Sequence, residues 1–326
     1  MLKVVVDAMG GDNGIKPIVD GVQDALKTKD FEAIIVGDEN LIKKYLDSNV
    51  QDKIKVIHCD DFIKMEDMAT NALKNKNSSI YQAVEIVRNN EADVVISAGH
   101  SGASMSLATL RFGRIDGVSR PAICTTMPRI DGKVSIILDA GANVDCKPEH
   151  LVEFARMGYE YAKNVLLYEN PRVGLLANGE EDNKGNELTK EVFKTLKKFP
   201  YFKGNVEGND IFNGSIEVIV CDGFSGNLVL KASEGVADAI GKILKEEIYK
   251  SFLSKIGAML MRNAFKMLKK RTHYAEYGGA PLLGVKKNLI ICHGKSNARA
   301  IECAIYQGIS AVETRVIEKI ANEFNK

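Results

Sequence analysis

Apolar, β-branched runs alternate with helix-patterned segments along the whole 326-residue chain, and that alternation constrains the fold most. Parallel strands need long crossovers between them, and a helix is the usual crossover. The runs predict strands at 3–7, 33–36, 54–57, 93–97, 134–138, 172–176, 216–221 and 288–292. Helical patterns fall at 16–29, 39–48, 78–89, 103–112, 148–167, 186–198, 228–250 and 295–323. The expectation is an α/β fold with a mainly parallel sheet. Ligands of such sheets bind beyond the carboxyl ends of the strands. Five predicted strand ends are small or polar: Asp7 to Asp12, Ser97 to Gly99, Asp139 to Asn143, Asp222-Gly223, and His293-Gly294.

Two of these ends carry the same phrase. Gly99-His100-Ser101-Gly102 follows one apolar run, and Gly223-Phe224-Ser225-Gly226 follows another. Glycine lets backbone N–H groups approach a ligand, serine adds a hydroxyl, and the start of a helix is electropositive. Each turn alone is more simply an ordinary strand-to-helix connection. Their duplication, with His100 and Asp222 inside them, points to a cleft for a phosphate or an oxyanion.

The other strand ends add chemistry. Asp7, Gly10, Gly11 and Asp12 read either as the floor of a cleft or as a glycine turn capped by Asp12. Asn143 offers an amide donor. Lys184, alone in a polar loop after three acids, reads as a phosphate-binding point charge or as a solvated balance for its neighbours. Asp222 ends an apolar run, so it is expected to be buried and to serve as a base, or else to cap the next helix. His293 reads as a donor to a phosphate or oxyanion, or as a histidine bonded to backbone.

Composition removes several classes of function. Forty-four Lys and Arg against 43 Asp and Glu give no field that would favour nucleic acid. Six dispersed cysteines without a C-x-x-C pair predict reduced, packed thiols and neither disulfides nor a zinc site. No signal peptide and no run of membrane-spanning length is present, so the expectation is a cytoplasmic protein that at most lies on a membrane. The chain has no G-x-G-x-x-G and no G-x-S-x-G, and Leu289 occupies the place of the first P-loop glycine before Gly294-Lys295-Ser296.

Residues 248–275 stand apart. They hold seven basic residues and no acidic one, interleaved with Phe, Leu, Ile and Met. Lys255, Arg262, Lys266 and Lys269 are spaced to share one helical face, with Leu260 and Phe265 among the apolar residues between them. A basic amphipathic helix fits an anionic membrane or an acidic protein. A core or dimer contact with a solvated basic rim is the plainer alternative.

Taken in order, these segments resemble the bacterial phosphate acyltransferase (PlsX) family of phospholipid synthesis. The resemblance rests on Asp7-Ala-Met-Gly-Gly-Asp12, Ser97 to Ala103, Leu138 to Asn143, Arg172 to Leu176, Gly179 to Glu181, Lys184-Gly185, Val206 to Gly208, Asp222 to Asn227 and Tyr277 to Gly284. It implies transfer of a long-chain acyl group from acyl carrier protein to inorganic phosphate, with no metal or organic cofactor. It further implies a three-layer fold similar to phosphotransacetylases and to isocitrate and isopropylmalate dehydrogenases. A homodimer, peripheral association with an anionic membrane, and delivery of acyl phosphate to a membrane glycerol-3-phosphate acyltransferase are also implied. The whole chain then forms one family domain with a central cleft, and 248–275 is a helical insertion.

On this reading Asp222, Lys184, His293 and Asn227 are the candidate catalytic residues. Asp7, Gly10, Gly11, Ser97, Gly99, His100, Ser101, Gly102, Asn143, Gly223, Ser225, Gly226 and Gly294 are the candidate binding residues. The chain departs from the family in His100-Ser101 for Asn-Thr, Ala140 for Val, and Lys295 for Ser. His100 keeps a donor and adds a titratable group, and Lys295 adds a cation near the phosphate or points to solvent. The rival functions are a short-chain phosphotransacetylase using acyl-coenzyme A and a non-catalytic scaffold for lipid or carrier. A dehydrogenase on the related fold lacks a nicotinamide or metal constellation.

Overall fold

The structure is a computed structural model that describes residues 1–272 and 276–325. Its strands are β1 (Lys3–Asp7), β2 (Glu32–Gly37), β3 (Ile54–His58), β4 (Val94–Ser97), β5 (Ala122–Ile123), β6 (Thr125–Pro128), β7 (Val134–Leu138), β8 (Val173–Leu176), β9 (Phe202–Val206), β10 (Val218–Val220), β11 (Ala280–Leu283) and β12 (Asn288–Ile291). They form two sheets, ordered β3-β2-β1-β4-β12-β11-β5 and β6-β7-β10-β8-β9. Pairing is parallel except around β11 and between β6 and β7. The fold is therefore α/β with mainly parallel sheets flanked by helices.

All eight predicted strands are present, because runs such as Val4-Val5-Val6 and Val94-Val95-Ile96 are buried on both faces of their sheet. Val4, Val6 and Ile96 pack toward Ile18 of helix Lys16–Leu26 and Ile301 of helix Ala298–Glu313. Val5 and Val95 pack toward Val84 and Val87 of helix Ser79–Arg88. In the second sheet Ile136, Leu138, Val218 and Val220 bury Phe154 and Tyr161 of helix Pro148–Asn164. Truncating the fully buried Phe154 to alanine should cost about 3–5 kcal/mol.

The sheets are tied where the chain passes from β5 in the first to β6 in the second. Cys124 N donates to Pro281 O, Ala140 N donates to Ile123 O, and Ile123 N donates to the Asp139 carboxylate. Ile115, Val118, Ala122 and Leu283 share one apolar cluster with the core of the second sheet. The carboxyl end of β7, at Asp139, thereby lies against β5 of the first sheet.

Three helices differ from expectation. The segment 295–323 is two helices, Ala298–Glu313 and Val316–Phe324, because Arg315 takes a left-handed conformation at φ 51°. The helix expected from 228 starts at Gly223 and runs to Lys250. The basic insertion is not one continuous helix. Ser251, extended at φ −129° and ψ 138°, ends the long helix and caps Phe252–Leu260. Met261 then separates that helix from Arg262–Thr272. Lys255 therefore lies on a different helix from Arg262, Lys266 and Lys269, and the single four-residue basic face is not formed.

Candidate active site

The first Gly-x-Ser-Gly turn follows β4, whose neighbours are β1 and β12. Ser97, buried in the last position of β4, donates its hydroxyl to Asp7 Oδ2 at 2.8 Å. It also accepts from Gly99 N at 3.2 Å. Ser97 thus positions Asp7 and shapes the turn, and does not face the opening. Asp7 is 2 % exposed, and burial pushes its carboxyl up to about 6. His100 caps helix Ser101–Leu107: its Nδ1 accepts from Ala103 N at 3.2 Å. Its Nε2 lies 3.0 Å from Asp67 O. A ring that accepts at Nδ1 and donates at Nε2 satisfies both contacts, so His100 is spent on scaffold. The Ser101 and Gly102 amides, in the first turn, have no carbonyl four residues back inside the helix.

Beside this turn lie the ends of β1 and β12. Gly10 adopts φ 78°, and Asp12 N donates to Gly294 O at 2.8 Å, which joins the two loops. His293 Nδ1 accepts from Lys295 N at 3.0 Å. Burial lowers the His293 pKa, and Lys231 adds to the lowering. Lys231 belongs to the long helix that begins at Gly223, so the helix of the second turn passes within electrostatic range of the end of the first sheet.

The second turn is built differently. Asp222 caps helix Gly223–Lys250, accepting Ser225 N at 2.8 Å and Ser225 Oγ at 3.0 Å. Asp222 is only half-buried. The deeply buried acid expected there is instead its neighbour across the strands, Asp139, which is fully buried. The Asp139 carboxylate receives five N–H groups: Ile123 N, Gly141 N and Ala142 N on Oδ1, and Asn143 N and Asn143 Nδ2 on Oδ2. Burial raises its pKa, and these donors act against that rise. Asn143 Nδ2 also donates to Pro121 O at 2.8 Å. Both hydrogens of its amide are then used, which corrects the expectation of a ligand donor at Asn143. Gly223 N donates to Asn143 O, and Gly226 N to Asp222 O. A Cβ on Gly226 would lie 1.9 Å from Asp139 O, so only glycine fits there. Asn227 is exposed, and its side chain sits over Gly141.

Lys184 is exposed in the loop after β8, where its stem packs on Gly179. It makes no ion pair or side-chain hydrogen bond among the described residues. The structure therefore places it at the same edge of the sheet as Asp222 but does not join it to either turn. In the insertion, Leu260 is 79 % exposed and Phe265 half-buried. Lys255 Nζ lies 5.5 Å from the centre of the Tyr249 ring. The Lys269 side chain and residues 273–275 lie outside the described residues. No metal-binding group of His, Cys, Asp and Glu occurs among the described residues.

Sequence reasoning missed one feature. A cleft of about 800 Å³ opens beside the Asp139 loop, lined by Met105, Leu110, Arg114, Arg120, Asn143 and Lys147 among others. Its walls come from two segments distant in sequence, so no local pattern announces it. Its nearest signal was the run of small residues at Ala140 to Asn143.

Residues 2–319 match the family model described as "Fatty acid synthesis protein". The chain is 61% identical over 324 residues to the phosphate acyltransferase of Helicobacter hepaticus, covering 99% of this chain and 97% of that one. It is 59% identical to the phosphate acyltransferase of Wolinella succinogenes, covering 99% and 98%. It is 54% identical to that of Campylobacter concisus, covering 100% and 99%. Among solved structures it resembles a phosphotransacetylase from Streptococcus pyogenes, with TM-score 0.63 and 16% identity over 97% of this chain and 94% of that one. It also resembles a branched-chain phosphotransacylase from Enterococcus faecalis V583, with TM-score 0.62 and 15% identity over 96% and 99%. These two likenesses concern the fold. The full-length family match and the close relatives together establish that this chain belongs to the fatty acid synthesis protein family and is an acyltransferase.

Proposed function

We propose that the chain transfers a long-chain acyl group from acyl carrier protein to inorganic phosphate, releasing acyl phosphate for phospholipid synthesis. The name phosphate acyltransferase, carried by relatives matched along nearly their whole length, supports phosphate as the acceptor. The observation that carries the reading in this chain is that Lys231, on the helix of the Asp222 turn, acts electrostatically on His293 at the end of β12, so the second turn's helix reaches toward the first sheet's ligand-facing edge.

Phosphate is itself a nucleophile, so the protein needs to hold it against the thioester and stabilise the oxyanion. One phosphate oxygen attacks the carbonyl carbon, the C–S bond breaks, and the thiol leaves with a proton. The Ser101 and Gly102 amides are the proposed phosphate donors. With Nδ1 accepting from Lys295 N, His293 carries its ring proton on Nε2 and can donate to the phosphate or the oxyanion. Lys184 supplies a cation when its loop closes over phosphate, and Asn227 an amide donor. Asp222 orients the turn or accepts the proton. A buried Asp7 behind Ser97 holds the floor.

The insertion supports a membrane contact. Phe252, Leu253, Met259 and Leu260 are each more than two-thirds exposed beside Lys255 and Arg262. Among the described residues no helix is long and apolar enough to cross a bilayer, so the contact would be peripheral. On the long helix Val236, Ile240 and Ile243, at helical spacing, are each 59 % exposed, which supports pairing with a second copy.

The test is phosphate-dependent release of free carrier from palmitoyl-carrier, with acyl phosphate trapped by hydroxylamine. Release that requires phosphate and yields trapped product is the expected outcome. Turnover confined to short-chain acyl-coenzyme A would replace this reading with the phosphotransacetylase one, and no turnover on either donor would leave a binding scaffold.

A further inference from the structure

The cleft beside the Asp139 loop has a chemistry that the transfer step above does not use. Three cations, Arg114, Arg120 and Lys147, line it with one acid, Glu149. Glu149 sits 4.0 Å from Lys147. Arg114 donates to Ser119 O through one nitrogen and keeps the rest of its guanidinium for another partner. Arg120 is exposed and makes no ion pair or hydrogen bond among the described residues. Part of the lining is apolar. It is supplied by Met105 and by Leu110, which is 65 % exposed. Leu110 is held there by a wide π-type turn over Ala108–Phe112, an arrangement common at functional sites. At its inner end the cleft reaches Ala142 and Asn143, the residues that bond Asp139 and Gly223. It therefore joins a cationic mouth to the second Gly-x-Ser-Gly turn by a partly apolar path.

We propose that this cleft holds the phosphorylated pantetheine arm of the acyl thioester, with Arg114, Arg120 and Lys147 on its phosphate and Met105 and Leu110 along its chain. The volume suits a ligand of that class, and the order of surfaces matches the arm: anion at the mouth, less polar chain within, thioester at the reacting turn. The same arm occurs on a carrier protein and in coenzyme A, so both donors should use the cations. This inference rests on the acyl-transfer reading.

The purified full chain is assayed with palmitoyl-carrier, palmitoyl-coenzyme A and palmitoyl-pantetheine, which lacks the phosphate. Arg120→Glu should raise KM for the two phosphorylated donors about tenfold, the loss of one charge-assisted hydrogen bond. It should leave KM for inorganic phosphate and for palmitoyl-pantetheine unchanged. Arg120→Lys should recover most of the loss, and Lys147→Glu should repeat it in part. Unchanged donor KM in both Glu variants overturns the proposal. So does a raised KM for inorganic phosphate, or a rise confined to the carrier-linked donor, which assigns the cations to a protein surface. Calorimetric binding of free pantetheine 4′-phosphate separates this inference from the reaction. Binding that Arg120→Glu weakens, without turnover, would keep the cleft and remove the transferase reading. Turnover without such binding would do the reverse.

Discussion

At the end of β4 the Ser101 and Gly102 amides head a helix with no acceptor inside it, whereas at the end of β10 the amides of Gly223, Ser225 and Gly226 are bonded to the protein itself. The sequence phrase is the same in both. What differs is the acid nearby. In the first turn Asp7 points inward onto Ser97 and Met9 N, so with His100 capping Ala103 N it leaves the Ser101 and Gly102 amides open. In the second, Asp139 folds back into its own loop and takes five N–H groups, and Asp222 takes the start of the next helix. The amides of the second turn are already taken up by the chain: Gly223 N by the Asn143 carbonyl, Ser225 N by the Asp222 carboxylate and Gly226 N by the Asp222 carbonyl. A Gly-x-Ser-Gly turn can thus hold a ligand only where no carbonyl or carboxylate of the chain has already taken its amides.

The sharpest way to break this comparison is to add one methyl group to each turn. Gly226→Ala places Cβ 1.9 Å from the Asp139 carbonyl oxygen, and backbone cannot step aside cheaply. We expect a loss of about 3 kcal/mol or more, and loss of turnover with it. Gly102→Ala meets the Ala69 methyl and the His100 ring, each at 3.1 Å, which can yield. It should change stability by less than about 1 kcal/mol while raising KM for phosphate. Urea unfolding and steady-state kinetics on both variants decide the matter. Equal stability losses would mean that the two turns are equally closed.

The next effect concerns the acids of the second turn. Asp139→Asn puts an NH₂ among donors that now meet oxygen, so one or more buried N–H groups lose their acceptor. The expected cost is about 2–4 kcal/mol in urea unfolding. Asp222→Asn still offers a capping oxygen to Ser225 N and should cost less than about 0.5 kcal/mol. If Asp222→Asn nevertheless lowers kcat, Asp222 takes part in the reaction as well as in the cap. Normal turnover in that variant would leave it a cap alone.

These predictions show what a sequence carries and what it does not. The strand ends were legible because an apolar run that stops at Asp7, Ser97 or Asp222 is a local pattern. The helix starts were less legible: the helix expected from 228 begins at Gly223, inside the turn itself. The five donors around Asp139 were not legible, since four require residues 141–143 to fold back on their own acid and the fifth, Ile123 N, comes from the other sheet. The strands β5, β6, β9 and β11 were missed because none is an unbroken β-branched apolar run: β5 has two residues, β6 reads Thr-Thr-Met-Pro, β9 carries Lys203 and Gly204, and β11 carries Pro281. The break at Met261 was hidden because Ala258 to Arg262 are all good helix formers. The cleft at Arg114 and Arg120 exists only once 105–121 and 142–150 meet.

A titration then sharpens the contrast between the two buried acids. Asp7 lies at about 6, raised from 3.8 by burial. Between those values the folded chain keeps a proton that the unfolded chain has released. Stability therefore falls as pH rises from about 4 to about 6, and is level above. Two pH units correspond to about 3 kcal/mol. Asp7→Asn, which keeps an acceptor for Met9 N, removes this loss. Its stability relative to the parent should rise by up to that amount between pH 4 and pH 7.5 in paired urea unfolding. A difference that stays constant with pH would mean that Asp7 titrates as an ordinary carboxyl.

The smallest effect separates the cap of the first turn from the site it opens. His100 accepts from Ala103 N through Nδ1 and reaches Asp67 O through Nε2. His100→Ala loses the cap and should cost about 1 kcal/mol. His100→Asn restores an acceptor to Ala103 N and should return nearly all of it. Because the ring is turned toward Asp67 and not toward the Ser101 and Gly102 amides, His100→Asn should leave KM for phosphate unchanged. A marked change in that constant, with stability restored, would place the imidazole on the ligand. The first turn would then, like the second, owe its chemistry to a side chain and not to its open amides.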